Sequence, residues 1–159
     1  MQEFQIIPHV GIGPIRLGAS RADARISLAI AGFPLKLARG KVDFFCDSSI
    51  QVEYDDSDSI QFIGISCDPS YRLTYEGVNV FDITAPELFA RVASQDGSGD
   101  HKYRDTEYLF PNQMVTLWDA DEQYDRLAGK KRVIWAQVGL GNRKYVDDCE
   151  AIDAPKTDG

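Results

Sequence analysis

The chain has 159 residues, 43% hydrophobic and 26% charged, which is apolar material enough for one compact domain or two small units sharing a core. Its formal net charge is -8, and both halves are acidic: residues 1–77 carry 7 Lys and Arg against 10 Asp and Glu, and residues 78–159 carry 10 against 15. A field of that sign repels nucleic acid and anionic membrane and favours a basic protein partner.

Met1–Gly11 has no basic leader, sustained apolar run or small-residue cleavage site, so no signal segment is expected there. The apolar-leaning run at Ile26–Phe33 is too short to span a bilayer. Cys46, Cys67 and Cys149 are odd in number and lack ligand spacing, and a reduced cytoplasm is the simplest compartment for them.

Met1–Pro8 reads as a short first strand. Ile15 and Leu17 alternate with Arg16 in another, set between glycine turns. Gly11-x-Gly13 is not a phosphate loop: Pro14 removes an amide donor and no Lys-Ser/Thr pair follows. Ser20 caps a helix over about Arg21–Ala31, with Asp23 in its first turn, Gly32 beyond its end and Pro34 barring continuation. Strands are predicted at Val42–Cys46, at Ile50–Tyr54 with clean alternation, and at Ile60–Cys67. Leu73–Asp82 opens a second unit, with a short strand around Val78–Phe81. Thr84, Pro86 and Glu87 then make a capping box for a helix with Leu88, Phe89 and Val92 on one face. Glu107–Phe110, Met114–Trp118 and Arg132–Leu140 supply the second set of strands. The tail beyond Asp147 is polar and is expected to fray, above all over residues 153–159.

These elements repeat. Ile50–Asp56 (IQVEYDD) slides onto Met114–Ala120 (MVTLWDA) at an offset of 64 positions, setting Tyr54 on Trp118 and Asp55 on Asp119. The same offset sets Phe44-Phe45-Cys46 on Tyr108-Leu109-Phe110 and Ser20 on Thr84. The fold class that follows is α+β. Two tandem αβββ-like repeats, about residues 1–72 and 73–152 of one domain, form an antiparallel sheet with two helices packed on one face.

No nucleophile elbow, HExxH or CxxC is present, and His9 and His101 read as solvated loop residues. Asp55-Asp56-Ser57-Asp58 resembles the start of a calcium loop but lacks its Gly and Glu, those places holding Ile60 and Ser66. No catalytic residue, metal or cofactor is therefore assigned. The remaining signal is acidic and aromatic together: Tyr54, Asp55, Asp56 and Asp58 in the first unit, and Trp118, Asp119, Asp121, Glu122 and Asp125 in the second. If the units pack side by side, both clusters share one acidic edge with aromatic anchors, which suits a basic partner. The alternative is that the two aromatics belong to the core and the acids to solvated turns.

The stretch GIGPIRLGASRADAR resembles a motif of small bacterial proteins in which a glycine-rich short strand and a Leu-Gly pair precede a helix. Val10–Gly18 and Ser20–Ala31 carry the likeness, with Ala19 where a methionine is frequent. With the repeat, the layout resembles the tandem αβ architecture of beta-lactamase-inhibitor-like proteins. It is also similar to small acidic immunity proteins of contact-dependent growth inhibition and related polymorphic toxin systems. The resemblance implies a non-enzymatic cytoplasmic protein that binds and blocks a toxin domain, plausibly a basic nuclease. It transfers no interface residues. Two other readings stand beside it: a small-ligand-binding domain or enzyme using the open sheet face, and a module self-associating through a strand edge.

Overall fold

The computed structural model describes residues 1–125 and 131–153. The protein is α+β, with two sheets and three helices among the described residues. The strands are β1 (Gln2–Ile7), β2 (Gly11–Ile12), β3 (Ile15–Arg16), β4 (Leu35–Arg39), β5 (Val42–Phe45), β6 (Ile50–Tyr54), β7 (Ile60–Ile65), β8 (Tyr71–Tyr75), β9 (Val78–Asn79), β10 (Glu107–Phe110), β11 (Val115–Asp121) and β12 (Ile134–Gly141). The helices are α1 (Arg21–Ile30), α2 (Ala85–Gln95) and α3 (Arg143–Asp153).

Both predicted helices start where their caps put them. The Ser20 hydroxyl accepts from Asp23 N at 3.1 Å and the Thr84 hydroxyl from Glu87 N at 3.4 Å. The predicted β-hairpins join into a seven-stranded antiparallel sheet of order β10-β11-β12-β7-β6-β5-β4. The short strands form a second sheet, β3-β2-β1-β8-β9, in which β1 and β8 run parallel. A parallel pair needs a long crossover, and here the whole first unit lies between the two strands.

The inner face of the large sheet buries Phe45, Ile50, Val52, Ile63, Ile65, Val115, Leu117, Val138 and Leu140 in one cluster. The small sheet adds Phe4, Ile12 and Leu73, α1 adds Ala24 and Leu28, and α2 adds Leu88, Phe89 and Val92.

The two units meet where β7 pairs with β12. Gly64 lies opposite Gly139, Ile63 opposite Leu140 and Ile65 opposite Val138, so the pairing is symmetric about the two glycines. Neither glycine has room for a side chain. A Cβ on Gly64 would come within 2.5 Å of the Gln137 amide, and one on Gly139 within 2.6 Å of the Phe62 ring.

Three parts of the fold differ from the sequence reading. β4 is an edge strand exposed along its length, with no alternation to mark it. β8 makes an unpredicted strand from Tyr71. The stretch beyond Asp147 does not fray at once: α3 runs from Arg143 to Asp153 and lies on the outer face of the large sheet, Tyr145 stacked on Phe62 at 4.5 Å. Residues 154–159 of the expected tail lie outside the described residues.

A buried ion cluster ties α1 to the sheet. Asp43 of β5 has no exposed surface, and two arginines fork onto its carboxylate. Arg21 Nη2 reaches Oδ1 at 2.7 Å, and Arg25 Nε and Nη2 reach Oδ2 and Oδ1 at 2.8 and 2.9 Å. The Tyr54 hydroxyl donates to Oδ2 at 2.9 Å, and the Arg21 guanidinium lies 4.8 Å over the Tyr54 ring. Burial alone would raise the Asp43 pKa, but the bonds from Arg25, Arg21 and Tyr54 bring it down to about 2. Replacing Asp43 by Ala leaves two arginines facing a void, and the expected cost in urea unfolding is about 3–5 kcal/mol. The carboxylate's folded pKa is depressed, so its contribution is complete above the ordinary value of 3.8 and is lost as pH falls from there toward about 2. In acid titrations of unfolding free energy, Asp43→Asn is expected to flatten that limb; an unchanged limb would contradict the clasp.

Candidate functional site

The two acidic clusters do not share an edge. β7 and β12 are antiparallel, so the turn leading into β7 and the loop leading into β12 lie at opposite ends of the sheet. The expected single acidic edge is therefore split in two.

The first cluster is largely engaged within the chain. Asp55 Oδ1 accepts from Ser57 N at 2.9 Å and Ser59 N at 3.0 Å, which closes the turn and lowers its pKa, chiefly through Ser59. Asp58 pairs with Lys41 at 3.1 Å and lies 3.9 Å from Arg21. Asp56 is exposed. Tyr54 is 2% exposed and belongs to the Asp43 clasp, so it is a core residue and no surface anchor. Burial, then its bond to Asp43, pushes its phenol pKa well up.

In the second cluster Asp119 accepts from the Tyr124 hydroxyl, and Asp121 caps a single 3-10 turn (Glu122–Tyr124) through Gln123 N at 2.9 Å. Asp121 and Glu122 are exposed. Asp125 is buried against Arg132, whose Nε reaches its Oδ2 at 2.9 Å while Nη2 donates to Phe81 O at 2.9 Å. Asp125 thus helps to hold Arg132 against the segment before α2.

Trp118 is the solvent-facing aromatic of the set, 52% exposed on the outer face. The pairing register explains why it differs from Tyr54. With Gly64 and Gly139 as counterparts, β6 maps onto β11 at an offset of 65 rather than 64, setting Ile50 on Val115, Val52 on Leu117 and Glu53 on Trp118. A slip of one residue along a strand moves a side chain to the other face.

Trp118 divides two concavities on that face. One, of about 190 Å³, runs toward α3 past Phe62, Arg104, Glu107, Tyr108 and Tyr145. The other, of about 560 Å³, runs toward the β5–β6 turn and is lined by Trp118, Tyr124, Gln51, Gln137, Asp47 and Asp68 among others. Its floor is polar: Gln137 Nε2 reaches Gln51 Oε1 at 3.4 Å over Gly64. Its carboxylates sit on fixed turns. Asp68 Oδ1 accepts from Ser70 N at 2.8 Å, and Asp47 lies in a run, Cys46-Asp47-Ser48, whose three φ angles are 52°, 51° and 69°. Asp47 also meets Lys36 at 3.5 Å in an exposed pair. Sequence reading did not place Asp47, Asp68, Gln51 or Gln137 here, because a groove built from four strands leaves no local signature.

His101 is also not a solvated loop residue. Its imidazole is packed at the end of α2, Nδ1 2.8 Å from the Tyr108 hydroxyl and Nε2 3.2 Å from Asp96 O. The Ser98 hydroxyl donates to buried Asp96 and lies 3.5 Å from His101 Nε2, so the three side chains fasten the loop at the end of α2. His9 is exposed with φ of 69°. Among the described residues no three His, Cys, Asp or Glu side chains gather as a metal site requires, and no helix is long and apolar enough to cross a membrane.

No family model, curated protein or solved structure matches this chain.

The face assignment is open to a direct check. Truncating Tyr54 to Ala is expected to cost about 3–5 kcal/mol in urea unfolding, as for other buried aromatics. Truncating Trp118 to Ala is expected to change stability by no more than about 0.5 kcal/mol. Comparable costs at the two positions would overturn the assignment.

Proposed function

We propose that the chain is a non-enzymatic binding protein that seats a basic protein partner on the outer face of its large sheet. The role we assign is that of an immunity protein neutralising a toxin domain. The observation that carries the reading is Trp118: a large aromatic held half in solvent at the mouth of a groove bearing Asp47 and Asp68. Exposed tryptophan is a frequent energetic centre of interfaces, and the surrounding carboxylates supply steering and orientation. The exposed acids Asp121 and Glu122 follow Trp118 in the chain, and the net charge of -8 extends the same field over the molecule. A toxin that acts on nucleic acid presents a basic surface to phosphates, and carboxylates at fixed positions compete for it.

A second reading has an observation of its own. The groove of about 560 Å³ is large enough for a small molecule, with aromatic walls and two amides on its floor. A metabolite screen by thermal shift separates the two: a small molecule that raises Tm in the intact protein and not in Trp118→Ala favours the ligand site.

The partner reading is tested by capture on the tagged chain at low and high salt, beside the Trp118→Ala variant, followed by co-expression of the captured protein. The expected partner is basic, is shed as salt rises, and is retained about ten-fold less by the variant. Expressed alone it arrests growth, and co-expression of the wild-type chain restores it. A retained protein that is salt-insensitive and does no harm when expressed alone would sink the proposal. Independently, the triple variant Asp47→Asn, Asp121→Asn, Glu122→Gln is expected to slow association with that partner about ten-fold at low salt and hardly at all at high salt.

A further inference from the structure

We infer that the groove beside Trp118 is a receptor for a single arginine side chain presented by the partner. This rests on the partner reading and names the chemistry of its central contact.

The inference starts from a pattern the fold already uses. At the Asp43 clasp, the Arg21 guanidinium lies 4.8 Å over the face of Tyr54 while its Nη2 donates to a carboxylate at 2.7 Å. On the far side of Trp118, the Arg104 guanidinium lies 5.6 Å over the Tyr108 ring. An aromatic face and a carboxylate are the two surfaces a guanidinium satisfies together, one by its plane and the other by its edge.

The larger groove offers both surfaces and, among the described residues, no arginine or lysine lines it. Trp118 supplies an exposed indole face. Asp68 supplies a carboxylate held by its turn, with Oδ1 engaged by Ser70 N and Oδ2 as a further acceptor. Asp47 faces the same space, and its contact with Lys36 at 3.5 Å is exposed on both sides, the kind of pair that solvent and salt readily break. The Gln51 and Gln137 amides complete the floor with oxygens that accept the remaining N–H groups.

Shape and chemistry favour arginine over lysine. A planar, weakly hydrated guanidinium stacks on indole and still keeps in-plane donors for carboxylate and amide oxygens; an ammonium is a compact, strongly hydrated charge. They also disfavour an anionic or purely apolar occupant, because two carboxylates rim the groove and its floor is amide.

The test uses the intact chain and a defined probe, an acetylated and amidated Gly-Arg-Gly-Arg-Gly peptide, with lysine and citrulline versions beside it. The two tryptophans give two indole N–H resonances in a nitrogen-correlated NMR spectrum, and Trp118→Phe identifies that of Trp118. The arginine peptide is expected to shift the Trp118 resonance saturably. It is expected to bind about ten-fold more tightly than the uncharged citrulline peptide and about three-fold more tightly than the lysine peptide. Asp68→Asn, which keeps an oxygen for Ser70 N, is expected to weaken binding about five-fold with no change in Tm. Equal response to arginine and citrulline, or an unaltered affinity in Asp68→Asn, would falsify the receptor. The two proposals fail separately. A captured toxin neutralised equally well by Trp118→Ala leaves the partner role standing and removes the groove from it. Specific peptide binding with no protein partner keeps the arginine receptor and removes the immunity role.

Discussion

The antiparallel pairing of β7 with β12 is the constraint from which the rest of the structure follows. It joins the two units through strands buried on their inner side by Ile63, Ile65, Val138 and Leu140, and it sets Gly64 directly against Gly139. On the outer side those two positions carry no side chain, so neighbouring groups fill the space: the Phe62 ring and Thr116 over Gly139, the Gln137 amide over Gly64. Phe62 is then available to Tyr145, and α3 docks on the same face. The smaller groove beside Trp118 is bounded by Tyr145 and Cys149 of that helix, and the larger lies on the other side of Trp118, toward the β5–β6 turn. The same pairing sends the acidic turn before β7 and the acidic loop before β12 to opposite ends. No packing of the two units with these central strands antiparallel could have merged them.

The units share a frame but fasten it differently. Arg25 in the first helix and Phe89 in the second stand 64 positions apart, and Asp43 and Tyr108 stand 65 apart in their hairpins. Where the first unit sets Arg25 on Asp43 at 2.8 Å, the second sets Phe89 against Tyr108 with ring centroids 4.6 Å apart. A helix-to-sheet contact is thus made once by charge-assisted hydrogen bonds and once by aromatic packing. The exchange has consequences. The Tyr108 hydroxyl is turned to His101, which with Asp96 secures the end of α2. The first unit instead holds a buried carboxylate whose arginines must stay in place, a contact costly to break and specific in register.

Much of the frame was legible from local chemistry. Ser20 and Thr84 announce their helices because capping is a property of four consecutive residues. Ile50–Tyr54 announces its strand because one face is buried and the other wet. What escaped notice lacks such a signature. β4 is exposed at every position, and α3 sets its five apolar residues, Tyr145, Val146, Cys149, Ala151 and Ile152, among six charged ones. Trp118 shows a subtler failure. Matching IQVEYDD to MVTLWDA by residue type aligns the two aromatics, whereas the hydrogen bonds align the buried aliphatics, Val52 with Leu117. Similarity of side chain and identity of face are different criteria, and along a strand a single residue separates them. The groove itself was beyond reach, since Asp47, Asp68, Gln51 and Gln137 converge only through strand order.

Trp118 is not needed by the core, because Val115 and Leu117 already fill the inner face of its strand. The turn across the groove is likewise hard to explain by stability alone. Three successive residues without glycine, Cys46, Asp47 and Ser48, hold left-handed φ, which costs about 1–2 kcal/mol per residue. The conformation persists because the surroundings fix it. Ser49 N and its hydroxyl both donate to Cys46 O, at 3.0 and 2.7 Å, and Ser66 N donates to Ser49 O at 2.8 Å, fastening the turn to the end of β7. Strain maintained by such bonds gathers where a surface must keep its shape before a partner arrives. With its aromatic wall and acidic rim already in position, the groove would lose little further freedom on binding, and that is where rigid interfaces gain affinity.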